Sequence, residues 1–80
     1  MNLMKVKEII FIVEEDPESG YNARALGESI FTEGSSLDEL KENIKDAIKC
    51  HFDKEEDIPD IIRLHILKEE TFKYAESSKS

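Results

Sequence analysis

The segment from Gly20 to Ile48 constrains the fold of this chain more than any other part of it. It has the residue pattern of a short strand, a turn, a second short strand and an amphipathic helix. Gly34 ends the second of these strands, and Ser36 followed by Glu39 forms a capping box at the start of the helix. This order predicts a helix packed on a sheet, and no comparably dense set of residues indicates a reaction chemistry.

The predicted helix runs from Leu37 to Phe52. Its apolar residues recur at spacings of three and four, which places them along one stripe, while charged residues occupy the opposite side. Asp38 and Glu39 place negative charge near the positive end of the helix dipole. A stripe of this kind needs an apolar surface to pack against, and the strands supply it. The stripe consists of Leu37, Leu40, Ile44, Ala47, Ile48 and His51.

Four segments have the composition of strands, and turn signals bound the first three of them. In the first strand the apolar run Ile9–Val13 occupies both faces, which indicates a strand that is central in its sheet or covered on both sides. Pro17 and Gly20 mark the first turn, and Gly27–Ser29 marks the second. The predicted strands are Lys5–Glu14, Tyr21 to Ala25 or Leu26, Ile30–Glu33 and Ile61–Leu67.

The order of the predicted elements is β-β-β-α-β, an α+β fold. The first three strands form an antiparallel meander through short turns, so the third strand runs in the same direction as the first. The helix then returns the chain, and a right-handed crossover places the fourth strand parallel to the first and beside it. We therefore predict a four-stranded mixed sheet of order 3-2-1-4, with one helix packed on one face.

A chain of 80 residues fits a single domain. We assign this domain to residues 1–74 and predict a disordered C-terminal tail over residues 75–80. The charge run Asp53–Asp57 after the helix is predicted to be a solvated loop. Phe72 and Tyr74 either extend the fourth strand or fold back over the sheet.

The charge balance favours some partners and disfavours others. Lys and Arg number 11 and Asp and Glu number 19, so the formal net charge is −8. Such a surface repels phosphate backbones, so we expect no direct binding of nucleic acid, whereas a basic protein is a suitable partner. The alternative is that the charge serves solubility alone.

Cysteine usage and hydropathy bear on the compartment. The single cysteine, Cys50, cannot form an internal disulfide, and a small secreted domain usually carries several cysteines. The N-terminus lacks the long apolar region of a signal peptide. The longest uninterrupted apolar run, Ile9–Val13, is too short to cross a bilayer. We expect a cytoplasmic protein with no membrane partner.

The helix leaves the second face of the predicted sheet uncovered. The second strand shows that face either its odd-numbered residues, which include Tyr21, or its even-numbered residues, which include Arg24. A part-apolar face flanked by Arg and His suits a homodimer contact or another partner protein, and a merely solvated face is the alternative. The predicted partner-binding residues are Tyr21, Arg24, Ile61, Arg63 and His65.

The sequence offers little for catalysis or for a metal. A metal-dependent nuclease needs clustered carboxylates, but Glu8 and Glu14 lie at the two ends of the first strand. There is no Ser/His/Asp set and no glycine-rich phosphate loop. The adjacent pair Cys50 and His51, even with His65, lacks the spacing of a zinc site. We therefore predict a protein that is not an enzyme and that holds no cofactor or metal.

An ordered set of these residues resembles the N-terminal domain of the HicB antitoxin family, of the HicA–HicB toxin–antitoxin type. The resemblance covers about residues 5–67. The family usually carries a Pro-x-Leu-Pro-Gly turn where this chain has Ala25–Ser29, which is shorter and has no proline. The matching residues are Phe11 to Asp16, Gly20, Tyr21, Ala23, Thr32 to Leu40, Asn43, Ile44, Ala47 and Ile48.

The resemblance implies both a fold and a function. The family fold is a β-β-β-α-β unit described as a partial RNase H-like fold. Members neutralise a small basic mRNA-interferase toxin, and full-length members usually add a DNA-binding unit that the resemblance does not cover, so no operator binding is expected here. The expected function is thus that of a non-catalytic protein-binding domain, as a dimer. The alternatives are an orphan HicB-like homodimer without a toxin and, further off, a small nuclease-like enzyme.

Overall fold

The computed structural model describes residues 7–75, and it has the predicted α+β architecture. Within these residues one four-stranded sheet has the strand order β3-β2-β1-β4, as predicted, and a single long helix packs on it. The elements are β1 Glu8–Asp16, β2 Gly20–Ala25, β3 Phe31–Gly34, α1 Leu37–His51, a short 3₁₀ turn Glu55–Asp57 and β4 Ile61–Leu67. Lys5, where the first strand was predicted to begin, and the predicted tail beyond Ala75 lie outside the described residues.

Strand β1 is central, as its apolar run predicts. It pairs antiparallel with β2, where Val13 lies opposite Ala23, and parallel with β4, where Val13 lies beside Ile66. Strand β3 pairs antiparallel with β2 and forms one edge of the sheet, and β4 forms the other edge. Among the strands of residues 7–75, the last in chain order therefore lies against the first.

Helix α1 begins at the predicted N-cap Ser36, while the Glu39 carboxylate of the predicted capping box bonds to Ser35, one residue before that cap. The hydroxyl of Ser36 accepts a hydrogen bond from the Glu39 amide at 3.1 Å, and the Glu39 carboxylate accepts one from the Ser35 amide at 3.0 Å. The Ser35 hydroxyl donates to the same carboxylate. These hydrogen bonds from Ser35, the side-chain bond first, hold the pKa of Glu39 below its ordinary value. The helix ends at His51, one residue earlier than predicted, because Phe52 has extended backbone angles.

The core lies between α1 and one face of the sheet. It consists of apolar side chains only, and among the described residues no polar or charged side chain is buried. His51, predicted at the end of the apolar stripe, is exposed instead and lies 2.9 Å from the Glu28 carboxylate. The buried residues are Ile9, Phe11, Val13, Ala23, Ile30, Leu40, Ile44 and Ile48.

Two glycines allow the helix to start directly against the sheet. A Cβ atom on Gly34 would lie 2.6 Å from the backbone nitrogen of Leu40. A Cβ atom on Gly20 would lie 2.5 Å from the carbonyl oxygen of Gly34, and Gly20 also has a φ of +97°. The start of β2, the end of β3 and the first turn of α1 therefore meet at backbone contact, which explains the density of signals in this segment.

The segments on either side of β4 are exposed, as predicted for Asp53–Asp57 but not for Phe72 and Tyr74. The charge run Asp53–Asp57 contains a 3₁₀ turn, and the backbone carbonyl of Lys7 accepts hydrogen bonds from the amides of Asp60 and Ile61, which brings β4 alongside β1. Beyond Leu67 neither arrangement predicted for Phe72 and Tyr74 is found. Strand β4 ends at Leu67, and Phe72 and Tyr74 are 91% and 103% exposed.

No helix within residues 7–75 combines the length and the apolar character that crossing a membrane requires.

Candidate protein-binding face

Side chains of β1 alternate between a covered face and an uncovered one. Ile9, Phe11 and Val13 are buried beneath α1, whereas Ile10 and Ile12 point away from it and are half-buried. The strand registers extend this alternation across the sheet. We call the side away from the helix the open face. Its residues are Glu8, Ile10, Ile12, Glu14, Asn22, Arg24, Phe31, Glu33, Ile61, Arg63, His65 and Leu67.

The registers arrange these side chains in rows that cross the sheet from β3 to β4. One row, which we call the acidic row, runs Glu33, Asn22, Glu14 and Leu67. The next row, which we call the middle row, runs Phe31, Arg24, Ile12 and His65. The open face therefore has the carboxylates of Glu14 and Glu33 towards one end. Beside them, Ile12 lies at its apolar centre between Arg24 and His65.

Large apolar side chains are exposed across the open face. Phe31 is 60% exposed, Leu67 is 50% exposed and Ile61 is 42% exposed. Half-buried Ile10 and Ile12 connect them through the centre of the sheet. A cluster of exposed apolar side chains rimmed by charged groups is typical of a surface that binds another protein.

A bidentate ion pair closes the end of the open face away from the acidic row. Arg63 donates from Nε and Nη2 to the two carboxylate oxygens of Glu8, at 3.1 and 2.9 Å. The hydrogen bond from Arg63, more than its charge, lowers the pKa of Glu8, and the same bond raises the pKa of Arg63. Arg24, in contrast, is in no ion pair with any residue from 7 to 75, so its charge is available to a partner.

The Glu8–Arg63 pair makes a pH-dependent contribution to stability. Because the pKa of Glu8 is lowered in the folded chain, the contribution is fully present above the ordinary glutamate pKa and is lost as the pH falls through the lowered one. We expect the difference in urea midpoint between the wild type and Glu8→Gln to shrink steadily from about pH 6 to about pH 3. Glu18→Gln, at an exposed carboxylate in the β1–β2 turn, is the control. A difference that stays constant over this range would contradict the prediction.

The structure brings together four of the five predicted partner-binding residues. Arg24, Ile61, Arg63 and His65 all lie on the open face. Tyr21 does not, because its register opposite Glu15 places it on the covered face, where it packs against the core. The prediction named residues from both alternative faces of the second strand, and only the even-numbered set shares a face with Arg63.

The sequence reasoning missed the central residues of the open face. Ile10 and Ile12 form its middle, and Phe31 is its most exposed aromatic side chain. The run Ile9–Val13 contained the signal for them. A strand covered by one helix needs apolar residues on only one face, so the apolar residues on its second face, Ile10 and Ile12, indicate a contact surface there.

The residues considered for metal binding or nuclease chemistry are spread over the molecule. Cys50 and His51 lie at the end of α1, on one side of the sheet. His65 lies in β4 and points to the open face, on the other side. Glu8 and Glu14 share the open face but are roughly 20 Å apart along β1. No group of three or more His, Cys, Asp or Glu within residues 7–75 is arranged to hold a metal ion.

Comparison with known proteins finds two similar chains. A UPF0150 protein of Archaeoglobus fulgidus is 58% identical over 52 residues, which are 65% of this chain and 77% of the relative. A UPF0150 protein of Thermotoga maritima is 52% identical over 48 residues, which are 60% of this chain and 69% of the relative. Neither name states an activity, a ligand or a partner. No protein-family model matches the chain, and no solved structure matches it significantly.

Proposed function

The chain belongs to the UPF0150 family, and we propose that it is a non-catalytic protein-binding domain that works as a HicB-type antitoxin works. In this proposal a cytoplasmic dimer of the chain binds a small basic mRNA-interferase toxin and neutralises it. The observation that carries the proposal is the open face, which combines an exposed apolar centre with an acidic row at one end.

The chemistry of the open face suits a basic protein. Phe31, Ile12 and Ile61 supply apolar contacts. Aromatic side chains such as Phe31 often carry much of the binding energy of an interface. Glu14 and Glu33 in the acidic row face the charge of a basic partner, and the net charge of −8 speeds the encounter. Arg24 and His65 lie on either side of Ile12 and favour an acidic or polar group of the partner at that point. They thereby fix how the partner is positioned on the open face.

Variants on the two faces of the sheet test the proposal. The chain is co-expressed with any small basic protein that its host encodes beside it, and binding is measured by calorimetry at about 0.15 M salt. We expect Phe31→Asp and Ile61→Asp each to weaken binding at least tenfold, because each places a carboxylate among the exposed apolar side chains of the open face. The matched control is Ile66→Asp, at a residue that is 49% exposed on the opposite side of the sheet.

The outcomes separate the antitoxin role from an orphan domain. Inhibition of the partner's RNA cleavage by the wild-type chain, and its loss in Phe31→Asp, would support the antitoxin role. If the wild-type chain binds no neighbouring basic protein at this salt concentration, or if Ile66→Asp weakens binding as much as Ile61→Asp does, the proposal is wrong.

A further inference from the structure

The two edges of the sheet differ in how they are protected. Strand β3 is short, and the side-chain amide of Asn43 in α1 donates a hydrogen bond of 2.7 Å to the outward-pointing carbonyl of Glu33. Strand β4 is longer and contains no proline, and its one charged side chain, Arg63, is bonded back to Glu8 of β1. Edge strands that do not pair are usually blocked by such devices. The β4 edge is therefore the one left open to pairing.

The unpaired backbone groups of β4 belong to alternate residues. The Ile61 amide donates to the Lys7 carbonyl of the neighbouring chain segment, so the odd-numbered residues of β4 direct their amides and carbonyls at β1. The even-numbered residues, Ile62, Leu64 and Ile66, direct theirs outward, where no strand within residues 7–75 pairs with them. A row of such groups is a template for one more strand.

Helix α1 leaves this edge accessible. It packs closest to β3 and β2, on the far side of β1 from β4, so β4 is only partly covered. Ile61, Ile66 and Leu67 of β4 remain exposed as a result. A strand added at the ordinary spacing of about 4.8 Å would extend the sheet away from the helix.

The sequence of β4 is complementary to itself in one antiparallel register. When Leu64 lies opposite Leu64 of a second copy, Ile61 lies opposite Leu67 and Ile62 lies opposite Ile66, so aliphatic residues meet aliphatic residues. Opposed residues then share a face of the sheet. The outward-pointing residues fall in hydrogen-bonded pairs, in which each residue uses both its amide and its carbonyl.

Charges next to the ends of β4 fit the same register. Lys68 directly follows the strand and Asp60 directly precedes it, and this register places them opposite each other at both ends of the pair. One residue further out, Glu69 lies opposite Pro59. Because proline has no backbone amide, the pairing ends there.

Other registers lose these matches. A shift by two residues in one direction places Arg63 opposite Arg63 of the second copy, in a closely spaced pair without hydrogen bonds. A shift by two in the other direction places Asp60 opposite Glu70. In the favoured register Arg63 lies opposite His65 instead, and the charge of Arg63 is already matched by Glu8.

We infer that two copies of the chain pair along β4, antiparallel and centred on Leu64, so that their sheets join into one. The two-fold axis is perpendicular to the sheet, and both open faces therefore lie on the same side and stay uncovered. This inference rests on the dimer in the proposed function and specifies how that dimer forms. Each copy keeps its own open face, so a variant that separates the copies is expected to bind a basic partner with unchanged affinity per chain.

Single cysteines test the register, in a Cys50→Ser background that removes the native thiol. Leu64→Cys is expected to form a disulfide between copies on mild oxidation, because opposed residues at the axis have Cα atoms about 5.5 Å apart. Ile66→Cys alone is expected not to, since its two copies are roughly 13 Å apart along the strands. Mixing Ile62→Cys chains with Ile66→Cys chains is expected to restore the cross-link. Non-reducing gels show all three results.

Charge reversal tests the ends of the pairing. Sedimentation equilibrium gives the dimer dissociation constant, which we expect to rise at least fivefold in Asp60→Lys and in Lys68→Asp. Combining the two substitutions is expected to bring the constant back to within about threefold of the wild type. Lys49→Asp reverses one charge at an exposed position of α1 and is the control, with no change expected.

The possible failures are distinguishable. A wild-type chain that stays monomeric at about 100 μM overturns both the β4 pairing and the dimer of the proposed function. A dimer in which Ile66→Cys cross-links to itself as readily as Leu64→Cys does, or one that the charge swap does not restore, overturns the β4 pairing alone. If the cross-links form as expected while no basic protein binds the chain, the proposed function is wrong and the β4 pairing stands.

Discussion

Replacing Phe11 with alanine is expected to lower the free energy of unfolding by about 3–5 kcal/mol. Phe11 is fully buried at the centre of β1, between Ala25 of β2 and Leu64 of β4 and beneath α1. Its removal leaves a cavity that the flanking strands cannot close without losing their own pairing. For 80 residues the whole stability is roughly 4–12 kcal/mol, so this one substitution can unfold the chain near room temperature.

The chain provides a matched control for this prediction. Phe31→Ala removes the same side chain from a position that is 60% exposed, and it is expected to cost less than about 1 kcal/mol. Urea titration followed by circular dichroism measures both variants. Similar losses at the two positions would mean that the core does not lie between α1 and the sheet, contrary to the structure.

Replacing Gly20 with alanine is the second large change that we expect, at about 2–5 kcal/mol. Two costs add. The φ of +97° strains any L side chain, and the new Cβ atom would also lie 2.5 Å from the carbonyl oxygen of Gly34 and 2.7 Å from the Cα atom of Ser35. Both atoms belong to the backbone, so relief requires β2 to move away from the entry of α1.

Gly27→Ala separates the two costs. Gly27 has a φ of +84°, so alanine suffers similar backbone strain there, but a Cβ atom would meet nothing within 4 Å. We expect Gly27→Ala to cost only about 1–2 kcal/mol. Thermal denaturation of both variants shows the difference, and equal losses would contradict the close contact between the strand and the helix entry.

Most of the fold was predictable because several local signals agreed. The turn residues around Gly20, the capping box of Ser36 and Glu39, and the apolar stripe of α1 each allow one local structure and are mutually compatible. Once three short strands precede a helix and one strand follows it, the handedness of the crossover leaves few topologies. The apolar run of β1 then places that strand in the centre of the sheet.

The candidate site was only partly predictable, because it depends on register. Residues 21–26 carry apolar side chains on both faces, so composition does not decide which side of β2 faces the helix. The hairpin decides it by pairing Asp16 with Gly20, which places Ala23 opposite Val13 in the core and leaves Arg24 on the open face. The incomplete cover of β4 by the helix has no signal in the sequence at all, since it arises from where the helix lies across the sheet.

The parallel pairing of β1 with β4 has a consequence for biosynthesis. Residues of β1 leave the ribosome before the other described elements, but their neighbours in β4, up to Leu67, are synthesised after all of those elements. Until then the strand with the longest apolar run, Ile9–Val13, exposes unpaired backbone groups to other nascent chains. Translation that stalls before β4 emerges is therefore expected to yield an aggregating fragment rather than a smaller folded domain.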